Sequence, residues 1–174
     1  MNLEHFGPAD LQKVWHGFFG QFLSNKDILD IGSGRGLIKK RMGVKNNVIT
    51  HDVNRALMNQ VDIIAPVDLI QGLWDIVSAY DVIEHVCYSP QKFMKEIYEL
   101  ADEALIITTP NHKQIPRDWH YTADEFLEII QTVRYHQIKY FHRYKSSEED
   151  YIKEVNIDVF KNKSSYALGI MGYV

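Results

Sequence analysis

The sequence has few of the features that would place it in a specialised class of protein. Its single cysteine, Cys87, excludes a disulfide within the chain and is typical of a reducing compartment. No segment reaches the roughly 18 consecutive apolar residues that a membrane-spanning helix needs. Repeats and low-complexity stretches are also absent. We therefore expect a cytoplasmic protein without a membrane partner, in which Cys87 is a small buried thiol beside an apolar helix.

The chain also has no excess of basic residues. Its 19 Lys and Arg against 23 Asp and Glu give a formal net charge of −4. That balance argues against a general nucleic-acid coat protein, although a local basic patch stays possible. With 174 residues, 45% of them hydrophobic, the chain can bury the core of one domain. We expect a single domain over 1–174, with an N-terminal helix and lead-in over 1–27 and the core over 28–174.

Short apolar strands alternate with helical patterns through most of the chain. The spacing predicts helices over 8–23, 37–42, 89–101 and 122–130. It predicts strands over 28–31, 48–52, 75–79, 104–108, 135–141 and 165–174, and a further short strand within 61–67. Such alternation indicates a mostly parallel sheet that helices cover on both faces. The last two strands, joined by an acidic loop, are predicted to form a hairpin at one edge.

The most informative segment joins the first predicted strand to a glycine-rich turn. It runs from Asp30 to Gly36, with glycines at 32, 34 and 36, and residues that can open a helix follow it. A strand, a glycine loop and a helix together form a nucleotide-binding element, because glycines permit a sharp turn and the close approach of a ligand. Asp30 would repel a pyrophosphate and could hold an ammonium group. We therefore expect a ligand with an amino-acid end and a nucleoside end.

Further carboxylates follow the next two predicted strands. Asp52 ends the second strand, 22 residues after Asp30, a spacing that suits hydrogen bonds from two ribose hydroxyls. Asp68 follows the third strand and could accept a hydrogen bond from an adenine amino group. Asp62 competes with Asp68 for this role, and a plain surface acid explains Asp68 equally.

These motifs resemble those of class I S-adenosylmethionine-dependent methyltransferases, and in particular of members with a Glu-His-Val element. The segments that carry the resemblance are Asp30–Gly36, Asp52, Trp74–Val86, Thr108–Asn111 and His120–Phe126. They occur in the family's order and span about residues 25 to 145. The resemblance implies a three-layer Rossmann-like α/β sandwich with a mostly parallel seven-stranded sheet and a C-terminal antiparallel strand.

The same resemblance implies an enzyme that uses S-adenosyl-L-methionine to methylate an oxygen or nitrogen nucleophile of a small molecule. It implies that Asp30 and the glycine loop hold the methionine part of the cofactor and that Asp52 holds the ribose. The cofactor contacts expected in full are Asp30, Gly32, Ser33, Gly34, Asp52, Val53, Asp68 and Ala79.

Asp81, Glu84 and His85 raise the possibility of a metal site. If a helix begins near Asp81, these positions share one face, and two carboxylates with an imidazole could bind a divalent cation. The segment resembles ubiquinone-biosynthesis O-methyltransferases and small-RNA 3′-terminal 2′-O-methyltransferases, which use it for metal and usually have Glu at the first position. An RNA 2′-O-methyltransferase with a metal ion at these three residues is therefore an alternative. The other interpretation is a helix-capping Asp81 and a Glu84-His85 pair that shapes the pocket wall.

Two histidines are candidate catalytic bases for an acceptor that must lose a proton, His85 and His120. In the RNA-modifying group, a histidine in the region of His120 completes the metal site. A loop histidine hydrogen-bonded to backbone explains His120 equally well.

Residues 134–145 interleave basic and aromatic side chains, a pattern that can bind single-stranded RNA. A strand with one solvated face near a sheet edge gives the same pattern, and the acids at 148–150 favour that interpretation. Two further function classes stay open. One is an NAD-dependent Rossmann oxidoreductase, against which the position of Asp30 counts. The other is a non-catalytic module that binds the cofactor or a partner.

Overall fold

One twisted sheet organises the chain, with helices on both of its faces. The computed structural model describes residues 8–111, 120–145, 150–162 and 165–174, with side chains from residue 12 onward. The strands are β1 Asp27–Ile31, β2 Asn47–Asp52, β3 Ile63–Ile64, β4 Trp74–Tyr80, β5 Ala101–Pro110, β6 Gln137–Lys145, β7 Asp150–Val155 and β8 Ala167–Tyr173. The helices are α1 Pro8–Phe19, α2 Leu37–Met42, α3 Pro90–Tyr98, α4 Ala123–Ile130 and α5 Ile157–Asn162.

The described strands follow the order β3-β2-β1-β4-β5-β8-β6-β7. The five strands from β3 to β5 run parallel to one another. Strand β8 is antiparallel to both β5 and β6, and β7 is antiparallel to β6. The Rossmann-like fold class predicted from the sequence is therefore confirmed, with eight strands in the described sheet instead of seven.

The prediction that the last two predicted strands pair with each other is correct, but the prediction that this pair forms the edge of the sheet is wrong. Strands β6 and β8 are antiparallel neighbours, but β8 lies inside the sheet, between β5 and β6. The edge strand is β7, which comes from the segment predicted to be an acidic loop. Charged residues are common on edge strands, where they discourage pairing with another chain, and here they obscured the strand pattern.

Alternating residues of the central strands face two separate cores. Leu29, Val77 and Leu105 belong to a cluster that includes apolar residues of α3, α4 and α5. Their chain neighbours Ile28, Ile76 and Ile106 belong to a cluster with residues of α1 and α2. This period-two division of buried side chains is what builds the three layers.

Two helices end earlier than the apolar pattern predicts. Helix α1 ends at Phe19, and Gly20, whose N–H still bonds to His16 O at 3.0 Å, begins the turn that follows. Helix α3 ends at Tyr98, because Ala101 already pairs with Trp74 as the first residue of β5. None of the helices in the described part of the chain is long and apolar enough to cross a membrane.

The basic and aromatic segment forms β6, as the strand interpretation predicted. Arg143, within that strand, is only 2% exposed, and its Nη2 donates to Asp150 Oδ2 at 2.6 Å. His142 is fully buried. One of the cations of this segment, Arg143, therefore lies inside the protein and not on a surface that could contact RNA.

Candidate functional site

The carboxyl ends of β1, β2 and β4 border a cleft of about 490 Å³. Strand β1 lies between β2 and β4. From β1 the chain continues to β2 and β3 on one side, and it then returns to form β4 on the other side of β1. This is the topological switch point at which open α/β sheets bind their ligands. The walls come from Gly32, the end of β2 and the residue after it, the turn at 66–68, residues 81, 82 and 85–88 after β4, and α3.

The glycine loop is tightly packed at Gly32 and has open space at Gly34. Gly32, Gly34 and Gly36 have φ angles of 65°, 56° and 63°, in the left-handed region that favours glycine. A Cβ on Gly32 would lie 2.5 Å from Cγ2 of Val82, whereas a Cβ on Gly34 would meet nothing within 4 Å. The loop is thus packed against the segment after β4 at Gly32, which lines the cleft, whereas Gly34 lies outside that lining.

Asp52 connects the ends of β1 and β2. Its Oδ2 accepts a hydrogen bond from Gly34 N at 3.0 Å, and its Oδ1 accepts one from Asn54 N at 2.9 Å. The carboxylate lines the cleft. Because each carboxylate oxygen has more than one lone pair, a carboxylate oriented in this way can still accept hydrogen bonds from ligand hydroxyls.

Asp30 is buried behind the glycine loop and is only 3% exposed. Ser78 Oγ donates to its Oδ1 at 2.7 Å. Burial raises the pKa of Asp30 to about 7, and the negative charge of Asp52 contributes to the increase. A ligand cation nearby would favour the charged carboxylate. The surroundings of Asp30 therefore suit a ligand that carries an ammonium group.

The structure brings six of the predicted site residues to the cleft: Gly32, Asp52, Val53, Asp68, Asp81 and His85. Ser33 is buried in the loop, and Ala79 is fully buried in β4, outside the lining of the cleft.

Asp68 and its competitor Asp62 are clearly distinguished. Asp68 is exposed on a short 3₁₀ turn and lines the cleft. The carboxylate of Asp62 instead accepts hydrogen bonds from Thr50 N and Oγ1, both at 2.7 Å, and lies 2.5 Å from Lys39 Nζ. The structure therefore favours Asp68 as the ligand-facing acid.

The three candidate metal ligands do not lie on a common helical face. Residues 83–85 form a 3₁₀ turn, and Asp81 has a φ of 55°, so neither a helix nor a helix cap begins there. Glu84 is 7% exposed, whereas His85 is exposed. Among the described residues, no three His, Cys, Asp or Glu side chains are placed to share a metal ion. The prediction that Asp81, Glu84 and His85 share one helical face was therefore wrong, and the positions of these three side chains do not support a shared metal ion.

Asp81 and Glu84 are held apart from His85 by contacts with residues at the end of β5. Asp81 N donates to Thr108 O at 3.1 Å, and Thr108 Oγ1 donates to Asp81 Oδ1 at 3.0 Å. Thr109 Oγ1 donates to Glu84 Oε2 at 3.2 Å. Burial raises the pKa of both carboxyl groups, and the charge of Asp81 raises the pKa of Glu84 further.

The two candidate bases differ in position. His85 is exposed and lines the cleft. His120 is half-buried two residues before Thr122, which caps α4, and it does not belong to the lining of the cleft. On position alone, His85 is the better placed of the two.

The prediction that Cys87 is buried was wrong. The thiol is exposed and lines the cleft, and its Sγ lies 3.7 Å from His85 O. Residues 86–89 connect the 3₁₀ turn to α3, and in this connection Cys87 faces the cleft.

One wall of the cleft was missed by sequence reasoning. Tyr88 Oη donates to Glu96 Oε2 at 2.5 Å, and Lys92 Nζ lies 3.4 Å from Glu96 Oε1. The Tyr88 and Phe93 rings are 6.5 Å apart, on either side of the helix cap Ser89. That placement is a hydrophobic staple, a sequence signal that could have located this wall.

The sheet order, the antiparallel strand near the end of the chain and the cleft beside the glycine loop together define the fold of S-adenosylmethionine-dependent methyltransferases. No protein-family model matches the sequence, and no curated protein matches it significantly.

Solved structures of this fold superpose on nearly the whole chain. A methyltransferase of Thermotoga maritima, described as a possible histamine N-methyltransferase, gives a TM-score of 0.71 at 13% identity, over 95% of this chain and 90% of that one. The methyltransferase domain of bacterial CtHen1 gives 0.67 at 16% identity, over 94% and 100%. Magnesium protoporphyrin IX methyltransferase from Synechocystis PCC 6803, with bound S-adenosylmethionine, gives 0.63 at 15%, over 95% and 79%. At these identities the likeness concerns the fold.

Proposed function

We propose that this protein is an S-adenosylmethionine-dependent methyltransferase that acts on an oxygen or nitrogen nucleophile of a small molecule. The observation that carries the proposal is the convergence of the glycine loop, Asp52 and Asp68 on one cleft at the switch point of the sheet. The cofactor bound by the Synechocystis enzyme, which has the same fold, supports the choice of ligand.

The residues of the cleft match the parts of this cofactor. Asp52 would accept hydrogen bonds from the two ribose hydroxyls, and Asp68 would accept one from the adenine amino group. Val53, 64% exposed at the cleft, offers an apolar surface to the adenine ring. Gly32, where the glycine loop borders the cleft, would let the methionine part approach the backbone, and the ammonium group of that part would complement the buried Asp30.

The cofactor supplies a methyl group that is already activated by a positively charged sulfur. The protein then has to align donor and acceptor and keep water away from them. A base is needed only when the acceptor must lose a proton, and His85, which lines the cleft, would take that proton.

A small acceptor is favoured over RNA by the charges of the cleft. Its lining includes Asp52, Asp68, Asp81 and Glu96, whereas Lys92 is ion-paired with Glu96. Negative potential opposes the phosphates that RNA-binding sites normally neutralise. RNA 2′-O-methylation, the alternative that the sequence resemblance raised, is the second candidate. Transfer of a tritiated methyl group to small RNA would support that candidate.

The proposal is tested by changing Asp52 to Asn and measuring the binding of S-adenosylhomocysteine by calorimetry. We expect affinity to fall about 10- to 100-fold, because hydrogen bonds to a charged group contribute about 1.5–3 kcal/mol. Asp102→Asn, which removes an exposed carboxylate at the start of β5, is the matched control and should bind as the wild type does. Equal affinity of the Asp52 variant and the wild type would contradict the assigned role.

A further inference from the structure

His51 is a buried polar side chain in the wall of the cleft. It belongs to β2, directly before Asp52, and is 1% exposed. Its Nε2 lies 2.6 Å from Ala65 O. Because a carbonyl oxygen can only accept a hydrogen bond, Nε2 carries a proton and donates it. Burial lowers the pKa of His51, so the ring is neutral near pH 7 and its Nδ1 carries no proton.

Packing alone does not explain a histidine at this position. The Nδ1 atom of His51 is buried and has no hydrogen-bond partner among the described residues. Burying a polar atom without a partner costs free energy, and an apolar side chain of similar size would avoid that cost. The bond from Nε2 to Ala65 is therefore the feature that distinguishes His51 from a plain core residue.

This bond joins the two segments that carry the candidate nucleoside contacts. His51 precedes Asp52 at the end of β2, and Ala65 precedes the turn that contains Asp68. On the proposed function, Asp52 binds the ribose and Asp68 binds the amino group of the base. A nucleoside holds its ribose hydroxyls and the edge of its base at a nearly fixed separation. The protein must therefore hold the two carboxylates at a matching separation.

The other contacts of the turn at 66–68 fix its position less closely. Strand β3, which leads into the turn, pairs with β2 over only two residues. Val67 packs into the core, but apolar packing has no preferred direction. In the described part of the chain, the bond from His51 to Ala65 is the only hydrogen bond that a side chain makes with residues 65–70. His51 thus supplies the directional link to the sheet that lies nearest to Asp68.

We propose that His51 is a positioning residue for the base of the cofactor: its bond to Ala65 holds Asp68 where that carboxylate accepts a hydrogen bond from the 6-amino group of adenine, and the cleft thereby selects adenine over a 6-oxo purine. This inference rests on the proposed function and adds the basis of its selectivity for the base. A carboxylate can only accept hydrogen bonds, so a carbonyl oxygen at position 6 would face it without a proton between them.

The preference for S-adenosylhomocysteine over S-inosylhomocysteine tests this inference. In the second ligand a carbonyl oxygen, with a proton on the neighbouring ring nitrogen, replaces the 6-amino group. Calorimetric titration of the wild type with each ligand gives the ratio of the two dissociation constants. We expect S-adenosylhomocysteine to bind at least about tenfold more tightly, because one hydrogen bond to a charged group is lost in the other complex.

Two substitutions of His51 separate the role of its bond from that of its bulk. The side-chain amide of glutamine can reach Ala65 O as Nε2 does, whereas the shorter asparagine ends near the position of Nδ1. We expect His51→Gln to fold and to keep the preference, and His51→Asn to bind the two ligands within about threefold of each other. His142→Asn is the matched control, because it removes a buried Nε2 contact with Phe160 O, at 3.2 Å, in β6. It should lose stability and keep the preference.

Asp68→Asn shows whether His51 acts through Asp68. The asparagine amide can donate as well as accept, so it accommodates either base and should reduce the preference to within about threefold. Adding His51→Asn to this variant should change the preference no further, because the carboxylate that His51 positions is already gone. A purely structural role of His51 would instead weaken the binding of both ligands equally.

The outcomes separate this inference from the proposed function. If the wild type binds both ligands equally, or if His51→Asn or Asp68→Asn keeps the full preference, the positioning role is refuted and the methyltransferase proposal stands. A His51→Gln variant that is unfolded in thermal denaturation, or folded without the preference, also refutes it. If His51→Asn does not fold, Asp68→Asn takes its place in the comparison. If the wild type binds neither ligand, the proposed function fails first.

Discussion

The packing of the glycine loop against Val82 makes Gly32→Ala a sharp test of the site's architecture. Gly32 and Gly34 have nearly the same backbone conformation, with φ of 65° and 56°. They differ in their surroundings, because a Cβ at Gly32 would lie 2.5 Å from Val82 Cγ2 and one at Gly34 would meet nothing within 4 Å. The two substitutions therefore share a backbone cost, and only one adds a collision.

The expected magnitudes follow from this difference. Placing alanine in the left-handed region costs about 1–2 kcal/mol, which should be the full loss of stability in Gly34→Ala. Overpacking against Val82 adds about 1–3 kcal/mol in Gly32→Ala, because a β-branched side chain has little freedom to move away. Gly32→Ala should thus lose about 2–5 kcal/mol of unfolding free energy.

Urea-induced unfolding of five proteins measures these terms: the wild type, Gly34→Ala, Gly32→Ala, Val82→Ala and the double variant Gly32→Ala/Val82→Ala. Relative to Val82→Ala alone, the cost of Gly32→Ala should fall toward that of Gly34→Ala, because both Cγ atoms are removed and only the contact with the Cβ of residue 82, at 3.3 Å, remains. If Gly34→Ala is as destabilised as Gly32→Ala, or if Val82→Ala leaves the cost of Gly32→Ala unchanged, the described packing of the loop is incorrect.

Two further predictions concern stability elsewhere in the fold. Because burial raises the pKa of Asp30 from 3.8 to about 7, the folded state holds this proton more tightly than the unfolded state, and stability is lost as the pH rises through that interval. Asp30→Asn should remove that loss, which is on the order of 4 kcal/mol, in urea unfolding between pH 4 and pH 8; an unchanged pH dependence would contradict the burial of a charged group. Thr122→Ala removes the capping box of α4, in which the side chain of Thr122 and that of Glu125 each accept from the other's backbone N–H. It should cost about 1 kcal/mol in thermal unfolding, and an unchanged midpoint would show that the cap contributes nothing.

The parts of the fold that depend on local patterns could be predicted from the sequence. Strand β1 and the glycine loop follow from a short apolar run and three alternating glycines, and the start of α4 follows from the Thr122 and Glu125 capping pair. Strand β7 was missed, because an edge strand is stabilised by its neighbour and its alternation is hidden by charged side chains.

In the candidate site, too, features set by the local sequence could be predicted, and features set by contacts between distant segments could not. Asp52 was located because it directly ends a predicted strand. The conformation of Asp81 was not predictable, because it depends on Thr108, which lies 27 residues away on the neighbouring strand. The helical face expected for Asp81, Glu84 and His85 therefore did not form. Long-range contacts of this kind leave no periodic signal in the sequence.

Calorimetric titration of the wild-type protein with S-adenosylhomocysteine and, separately, with NAD tests the central claim most directly. The acid behind the glycine loop and the carboxylate at the end of β2 predict one molecule of S-adenosylhomocysteine bound per chain, and no binding of the pyrophosphate-containing NAD. Binding of NAD in the absence of any binding of S-adenosylhomocysteine would contradict the claim that this cleft holds a methyl donor.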